Sequence, residues 1–208
     1  MKLQLNRRSK LDILALLAVG IVGFFSVRHA VTIGDWLHEI VYHPPAQIVQ
    51  LADDAGMNNT GKKLFYRFAP QMVNAATLRQ KCGSDKLGCT AGTHIYILDS
   101  SDPTQYNRNI VTAAHEMLHV AYSRLSSADK QAVDANIQQE LGHNDTRVAQ
   151  SIKAQLQTYD PSDYFNEAHS YIGSELSDPG PALNLYYERY FVDRNKATQA
   201  FLNSPEGQ

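Results

Sequence analysis

The sequence predicts an α+β domain that is predominantly helical, with a small sheet, preceded by one N-terminal transmembrane helix. Three observations lead to this class: an apolar stretch near the N-terminus, a single segment with clear strand character, and several segments with helix caps and helical spacing. The chain has 208 residues, enough for one core plus an appendage. We expect a basic N-terminus at 1–10, an anchor at 11–29 and a folded domain at 30–208.

The anchor is predicted from charge and hydropathy. Residues 1–10 carry four basic side chains and no acid, and within residues 11–27 the only charged side chain is that of Asp12, at the edge. As a helix this apolar stretch rises about 26 Å, near the lower limit for crossing a bilayer. The positive-inside rule then leaves the N-terminus in the cytoplasm and residues 30–208 outside. A cleaved signal peptide and a buried core helix are the alternatives.

The two cysteines fit a domain outside the cytoplasm. Cys82 and Cys89 bracket the turn-rich loop "GSDKLG". In an oxidising compartment such a pair predicts a disulfide, whereas in the cytosol it would more often be two free thiols. The net charge of −2 gives no bulk basic field, so we expect no nucleic-acid partner.

The remaining elements follow from caps, stops and periodicity. "THIYILD" at 93–99 is rich in β-branched and aromatic residues and is the one clear strand. Asn74 and Ser127 are predicted helix caps, and Pro70 and Gly142 are predicted stops. Helices are predicted over 45–55, 60–70, 74–82, 105–124, 126–142, 147–157, 161–176 and 182–203. The tyrosine-rich face of the last one is expected to be core.

One motif carries chemistry. Residues 115–119 read H-E-M-L-H, and positions i and i+4 share a helix face. His115 and His119 can therefore offer two imidazole nitrogens to one metal ion about 2 Å away. Glu116 is then placed to take a proton from a zinc-bound water. The alternative is a solvated helix with two surface histidines, but the apolar flanks would bury them and require partners.

A catalytic zinc site needs a third protein ligand and an open position. The sequence after His119 does not continue as HExxHxxGxxH, so this ligand must come from elsewhere in the chain. The side chains that could supply it are His143, Glu140, Glu167, His169 and Glu175.

The segment "TAAHEMLHVA" resembles the extended signature of zincin metallopeptidases. "FNEAHSYIGSEL" at 165–176 resembles the second helix of the gluzincins, with its thermolysin-like N-E-A-x-S pattern beginning at Asn166. This resemblance implies that Glu167 is the third zinc ligand. It also implies that the strand at 93–99 forms the sheet edge that pairs with an extended substrate. The sequence departs from the family in a long segment before Glu167 and in Tyr171, where an acid is expected.

The resemblance implies a zinc metallopeptidase that hydrolyses peptide bonds in peptide or protein substrates, and the predicted anchor would attach it to the membrane. One Zn²⁺ would be held by His115, His119 and Glu167, with Glu116 as general base. Two other functions remain open: a zinc hydrolase or amidase acting on cell-wall peptides, and an anchored interaction domain whose zinc is structural or lost. Spacing does not select the side chain that stabilises the oxyanion. The candidates are Tyr171, Tyr186, Tyr187, Tyr190, His143 and His169.

Overall fold

The longest helix in the described part of the chain carries the H-E-x-x-H residues through the middle of the hydrophobic core. The computed structural model describes residues 42–84, 86–99 and 105–208. In chain order the elements are α1 (Ala46–Asp54), α2 (Asn59–Arg67), β1 (Gln71–Val73), α3 (Ala75–Cys82), β2 (Gly88–Ala91), β3 (His94–Leu98), α4 (Gln105–Ser123), α5 (Ser127–His143), α6 (Arg147–Leu156), α7 (Tyr164–Glu175), α8 (Gly180–Tyr187) and α9 (Asn195–Leu202).

This architecture is mostly helical with one three-stranded sheet among the described residues, which confirms the α+β class. No helix within the described ranges is both long and apolar enough to cross a membrane. The predicted anchor at 11–29 lies outside those ranges. The boundary predicted at residue 30 lies outside them as well.

The sheet has the order β1-β3-β2. β1 runs parallel to β3, with Gln71 opposite Tyr96, and β2 runs antiparallel to β3, with Gly88 opposite Ile97. The prediction that the strand at 93–99 forms the edge is therefore wrong, because β3 has a partner on each side. β2 is the edge strand nearest the motif helix. A Cβ added at Gly88 would lie 2.4 Å from the Cγ2 atom of Thr112 on α4.

A disulfide fixes the edge strand to the helix that precedes it. The bond joins Cys82, the last residue of α3, to Cys89 in β2, with 5.7 Å between their Cα atoms. The predicted pairing is present in the structure. It limits how far β2 can move away from the rest of the sheet.

Seven of the eight predicted helices are present at the predicted positions, with ends that differ by up to three residues. Two of the predicted boundary residues are wrong. The Asn74 side chain accepts a hydrogen bond from the Thr77 backbone, as an N-cap does. The cap of α5 is Ser126 rather than Ser127, because the Ser126 hydroxyl accepts from the backbone of Asp129. Gly142 does not stop α5, which continues to His143.

The single helix predicted over 182–203 is wrong, because the structure has two short helices there. Between α8 and α9 the backbone pairs with the start of the domain. Asn58 donates to the Tyr190 carbonyl at 2.9 Å, and Val192 donates to the Gly56 carbonyl at 2.8 Å. These long-range hydrogen bonds replace the helical ones in this segment. Tyr190 is buried, as predicted for the tyrosine-rich face.

Helix α4, which carries the H-E-x-x-H motif, packs closely against α7, which carries the N-E-A-x-S pattern. Met117 and Leu118 on α4 are fully buried, as their apolar character predicts. A Cβ added at Gly173 of α7 would lie 2.4 Å from Leu118 Cδ1 and 2.7 Å from the ring of Tyr187. The absence of a side chain at Gly173 lets the two helices approach, and this approach sets the distance between the groups they carry into the cleft.

Candidate metal centre

The two motif histidines face the same point in space. His115 and His119 lie one turn apart on α4, and their Nε2 atoms are 3.0 Å from each other. Their side chains are 13% and 15% exposed, so each is mostly withdrawn from water. The carboxylate of Glu116 belongs to the same group, in which the ligand atoms of the three residues all lie within 4.8 Å of one another.

Glu167 comes to this point from α7. Its Oε2 atom lies 3.5 Å from His115 Nε2 and 3.6 Å from His119 Nε2. The same oxygen is buried and has no hydrogen-bond partner among the described residues. A buried carboxylate oxygen without a partner is costly unless another group satisfies it.

The three side chains fit a zinc ion in chemistry and in spacing. Two imidazole nitrogens and one carboxylate oxygen form a donor set typical of catalytic zinc. Tetrahedral bonds of about 2.0–2.2 Å place neighbouring ligand atoms roughly 3.3–3.6 Å apart. The two separations from Glu167, 3.5 and 3.6 Å, lie in this range, and the 3.0 Å between the two Nε2 atoms is slightly shorter. One ion at this point would satisfy the unpartnered oxygen of Glu167.

α7 also supplies groups that orient the histidines. The Nδ1 atom of His119 lies 3.1 Å from Ser170 Oγ. In the tautomer that leaves Nε2 free for a metal, Nδ1–H donates to this hydroxyl. The ring of Tyr171 meets the ring of His115 edge-on, with 4.6 Å between centroids. Tyr171, which stands where the gluzincin pattern has an acid, therefore contacts His115 through its ring.

The site is electrostatically coupled. Burial lowers the pKa of His115, but the surrounding carboxylates, Glu167 first, outweigh burial and raise that pKa overall. Burial and the neighbouring His115 lower the pKa of His119. Burial alone would raise the pKa of Glu167, but the two histidines hold it below its usual range. Glu167 therefore remains an anion, as a metal-ligating carboxylate must be.

The general-base candidate is held by the edge strand. Thr90 on β2 donates a hydrogen bond from its hydroxyl to Glu116 Oε2 at 2.9 Å. Glu116 is only 5% exposed. The hydroxyl of Thr90 therefore restricts the orientation of this carboxylate beside the histidine pair.

The other third-ligand candidates lie elsewhere. His169 is fully buried, its Nε2 atom is 3.0 Å from the Tyr186 hydroxyl, and burial lowers its pKa to about 3. Glu140 is buried and accepts a hydrogen bond from Asn144 at 2.6 Å. His143 is exposed at the end of α5. Glu175 lines the same cleft as Glu167 but lies two turns further along α7.

Tyr159 is a residue of the site that the sequence pattern did not identify. Its hydroxyl lies 2.9 Å from the hydroxyl of Tyr171. Burial raises the pKa of Tyr159, and the carboxylates of Glu167 and Glu116 raise it further. The contact with Tyr171 and the influence of the two carboxylates indicate that this phenol lies beside the candidate metal ligands. Tyr159 stands eight positions before Glu167 in a loop, where periodicity gives no signal.

These side chains line one cleft of about 660 Å³. Its walls come from β2, α4, α7, the end of α6 with the loop that follows it, and the region around α9. The metal-ligand group lies on this cleft together with Glu116, Thr90 and Tyr159. A volume of this size is within the range that accommodates a drug-sized ligand or a few peptide residues.

Comparisons of the chain with protein-family models, with curated protein sequences and with solved structures return no match. The likeness to gluzincins is carried by the residues of α4 and α7 described above.

Proposed function

We propose that this protein is a zinc-dependent metallopeptidase of gluzincin type that hydrolyses peptide bonds. The observation that carries the proposal is the position of Glu167 Oε2, which lies within 3.6 Å of both motif nitrogens and is buried without a hydrogen-bond partner among the described residues. Two histidines and one carboxylate leave a fourth position open, as a catalytic site requires and a structural site does not.

In this proposal His115, His119 and Glu167 hold one Zn²⁺. When bound, the ion acts as a Lewis acid that polarises the scissile carbonyl and makes a water more acidic. Ser170 keeps the proton of His119 on Nδ1, so that Nε2 presents its lone pair. The ring of Tyr171 fixes the plane of His115 by contact.

Glu116 moves the protons. Its carboxylate takes a proton from the attacking water and then delivers it to the leaving amine. The Thr90 hydroxyl donates to Oε2, which leaves Oε1 as the atom that exchanges the proton. A base held in this way loses little orientational freedom at the moment of reaction.

Tyr159 is the oxyanion-stabilising donor in this mechanism. A phenol donates only while protonated; tyrosine is protonated at neutral pH, and burial raises the pKa of Tyr159 further. Tyr171 holds the Tyr159 hydroxyl through the contact of 2.9 Å between their oxygens. Burial also raises the pKa of Tyr171, so both phenols carry their protons.

β2 is the strand that pairs with substrate. It is a sheet edge, it lines the cleft through Gly88, Cys89 and Thr90, and it lies directly beside α4. An extended peptide can add to such an edge through main-chain hydrogen bonds. Pairing of this kind is compatible with many different substrate side chains. The Cys82–Cys89 disulfide holds the edge in place for this addition.

The placement outside the cytoplasm, behind an N-terminal membrane anchor at 11–29, is part of the same proposal. A disulfide between Cys82 and Cys89 supports it, because such bonds persist in oxidising compartments. The charge asymmetry of the first ten residues supports it independently.

The test replaces the base and leaves the ligands intact. Glu116→Gln in the full chain should retain about one zinc by elemental analysis. Its cleavage of a casein-type substrate should fall by at least about 1,000-fold, because proton transfer is lost along with the charge. Glu140→Gln is the matched control, because it removes a buried carboxylate outside the cleft and should leave cleavage intact. Activity retained in Glu116→Gln, or a wild-type protein that binds zinc but cleaves nothing, would contradict the proposal.

A further inference from the structure

The cleft contains a second buried carboxylate that the proposed mechanism does not use. Glu175, the last residue of α7, is 7% exposed and lines the cleft. Its Oε2 atom is buried and has no hydrogen-bond partner in the described part of the chain. Burial raises its pKa to about 7. A buried carboxylate without a counter-ion carries a large desolvation cost, which an arriving cation would remove.

The neighbouring acid is already neutralised. Glu206 lines the same end of the cleft, and Arg108 binds both of its carboxylate oxygens, one of them at 3.0 Å through Nε. The remaining Arg108 nitrogen, Nη1, donates to Gln105 at 3.3 Å. Three of the five N–H groups of Arg108 are used in these contacts. The acid at this end that lacks a cationic partner in the described structure is Glu175.

Glu175 is at a suitable distance from the metal ligands. It follows Glu167 on α7 by eight residues, which is about 12 Å of helix rise. Helical side chains lean toward the helix N-terminus, so the Glu175 carboxylate leans back toward Glu167. A long substrate side chain next to the scissile bond can cover the remaining distance, and a short one cannot.

Apolar side chains contribute to the lining of the cleft. Val111, one turn before His115 on α4, and Phe201 on α9 line the cleft and are both mostly buried. A lysine or arginine side chain has an aliphatic stem that packs on such walls and a charged head that needs a carboxylate. The cleft offers both kinds of contact, in Val111 and Phe201 and in the carboxylate of Glu175.

We infer that this end of the cleft is a specificity subsite for a cationic side chain, lysine or arginine, adjacent to the bond that is cut. Val111 and Phe201 contact the aliphatic stem, and Glu175 accepts the hydrogen bonds of the ammonium or guanidinium group. The inference rests on the proposed peptidase function for its substrate class and adds which peptides that activity selects.

The experiment compares peptides that differ at one residue. Two fluorogenic series carry lysine, norleucine, arginine or citrulline on either the N-terminal or the C-terminal side of the scissile bond. Norleucine and citrulline match lysine and arginine in length and lack the charge. In one series wild-type kcat/KM should favour the charged member of each pair by about 10- to 100-fold, the range for a hydrogen bond to a charged group.

Glu175→Gln keeps the shape of the side chain and removes its charge, so this preference should fall to within about threefold of unity. Glu140→Gln, which neutralises a buried carboxylate away from the cleft, should preserve the preference. The inference is overturned if wild type cleaves the citrulline peptide as well as the arginine peptide. This comparison needs no variant. A preference that survives in Glu175→Gln overturns it too.

A binding measurement separates this inference from the proposed function. Fluorescence anisotropy of the labelled lysine and norleucine peptides is measured on zinc-loaded Glu116→Gln protein, with and without Glu175→Gln. Tighter binding of the lysine peptide that depends on Glu175 supports the subsite even if wild type cleaves no peptide, in which case only the peptidase proposal fails. Equal binding of the two peptides overturns the subsite even if both are cleaved.

Discussion

The first and last turns of α7 carry the same residue type into the same cleft and give it opposite surroundings. Glu167, in the first turn, has two imidazole nitrogens within 3.6 Å. Glu175, at the last position, has a buried oxygen with no partner in the described structure. The positive end of the helix dipole favours an anion at the first turn and the negative end disfavours one at the last. The two histidines lower the pKa of Glu167 against the effect of burial, whereas burial raises the pKa of Glu175.

This contrast teaches that a carboxylate's role in this cleft depends on what its neighbours already provide. At the first turn, the proposed metal ion would be shared by Glu167 and the two histidines. At the last turn the neighbouring acid already has its arginine, so Glu175 is left to bind a cation from outside. Helical spacing indicates that the two glutamates do not both reach one metal ion, but it does not say which of them is the ligand.

The largest expected effect comes from removing each of the two carboxylates in turn. Glu167→Ala removes one of three ligands, so we expect loss of zinc from the purified protein and activity at background level. Glu175→Ala removes a carboxylate that interacts with His115 only through its charge in the described structure, so we expect most of the zinc to remain. Metal content by elemental analysis of the two variants checks both expectations. If Glu175→Ala loses its zinc and Glu167→Ala keeps it, Glu175 is the ligand and the comparison is inverted.

The next effect concerns Tyr159, in the loop before α7, and separates its role from that of the proposed metal ligands. Tyr159→Phe removes the hydroxyl that we assign to the oxyanion, so kcat should fall about 100-fold with KM changed little. Zinc content should be unchanged, because no metal ligand is touched. Tyr164→Phe, a nearby tyrosine outside the cleft lining, serves as the control. A fall in KM alone, or no change in kcat, would remove Tyr159 from the mechanism.

Much of this arrangement could be predicted from local sequence. The helix caps, the strand at 93–99 and the motif helix all depend on residues within a few positions of one another. The geometry of His115 and His119 follows from the helical repeat. Placing Glu167 beside them, however, required a resemblance to a known pattern, because no local rule relates residues so far apart in the chain.

The misses have a common cause. β2 contains a glycine and no β-branched run, and it becomes a strand only because β3 offers a partner and Cys89 is bonded to Cys82. The segment between α8 and α9 leaves the helix because its backbone pairs with residues 56–58. Both features arise from contacts between distant parts of the chain, which periodicity and propensity do not report.

A smaller effect concerns the hydrogen bond that orients His119. Ser170→Ala should weaken zinc affinity by about tenfold, the lower end of the range for losing a group that orients a metal-binding histidine. Competition with a chromophoric chelator measures this affinity. Ser174→Ala is a matched control, since it removes a buried hydroxyl one turn further along α7 that donates to the Ser170 carbonyl instead. Equal zinc affinity in the two variants would show that the serine does not orient the ligand.

The smallest effect is on stability and concerns the last turn of α7. In zinc-free protein the pKa of Glu175 is about 7, against 4.5 for an unperturbed glutamate. Below pH 4.5 the carboxyl is protonated in both states and has no effect. Between pH 4.5 and about 7 the unfolded chain ionises and the folded one resists, so the folded state loses stability as pH rises. Above about pH 7 the loss is complete.

Glu175→Gln removes this titration while keeping the shape of the side chain. In chelator, the free energy of unfolding of the variant relative to wild type should therefore increase between pH 5 and pH 8, by about 1–3 kcal/mol. Urea unfolding of both proteins at the two pH values measures this, and the titration of all other groups cancels in the difference. If the difference in free energy of unfolding between variant and wild type is no larger at pH 8 than at pH 5, Glu175 ionises freely in the folded state. In that case the first and last turns of α7 do not differ as described.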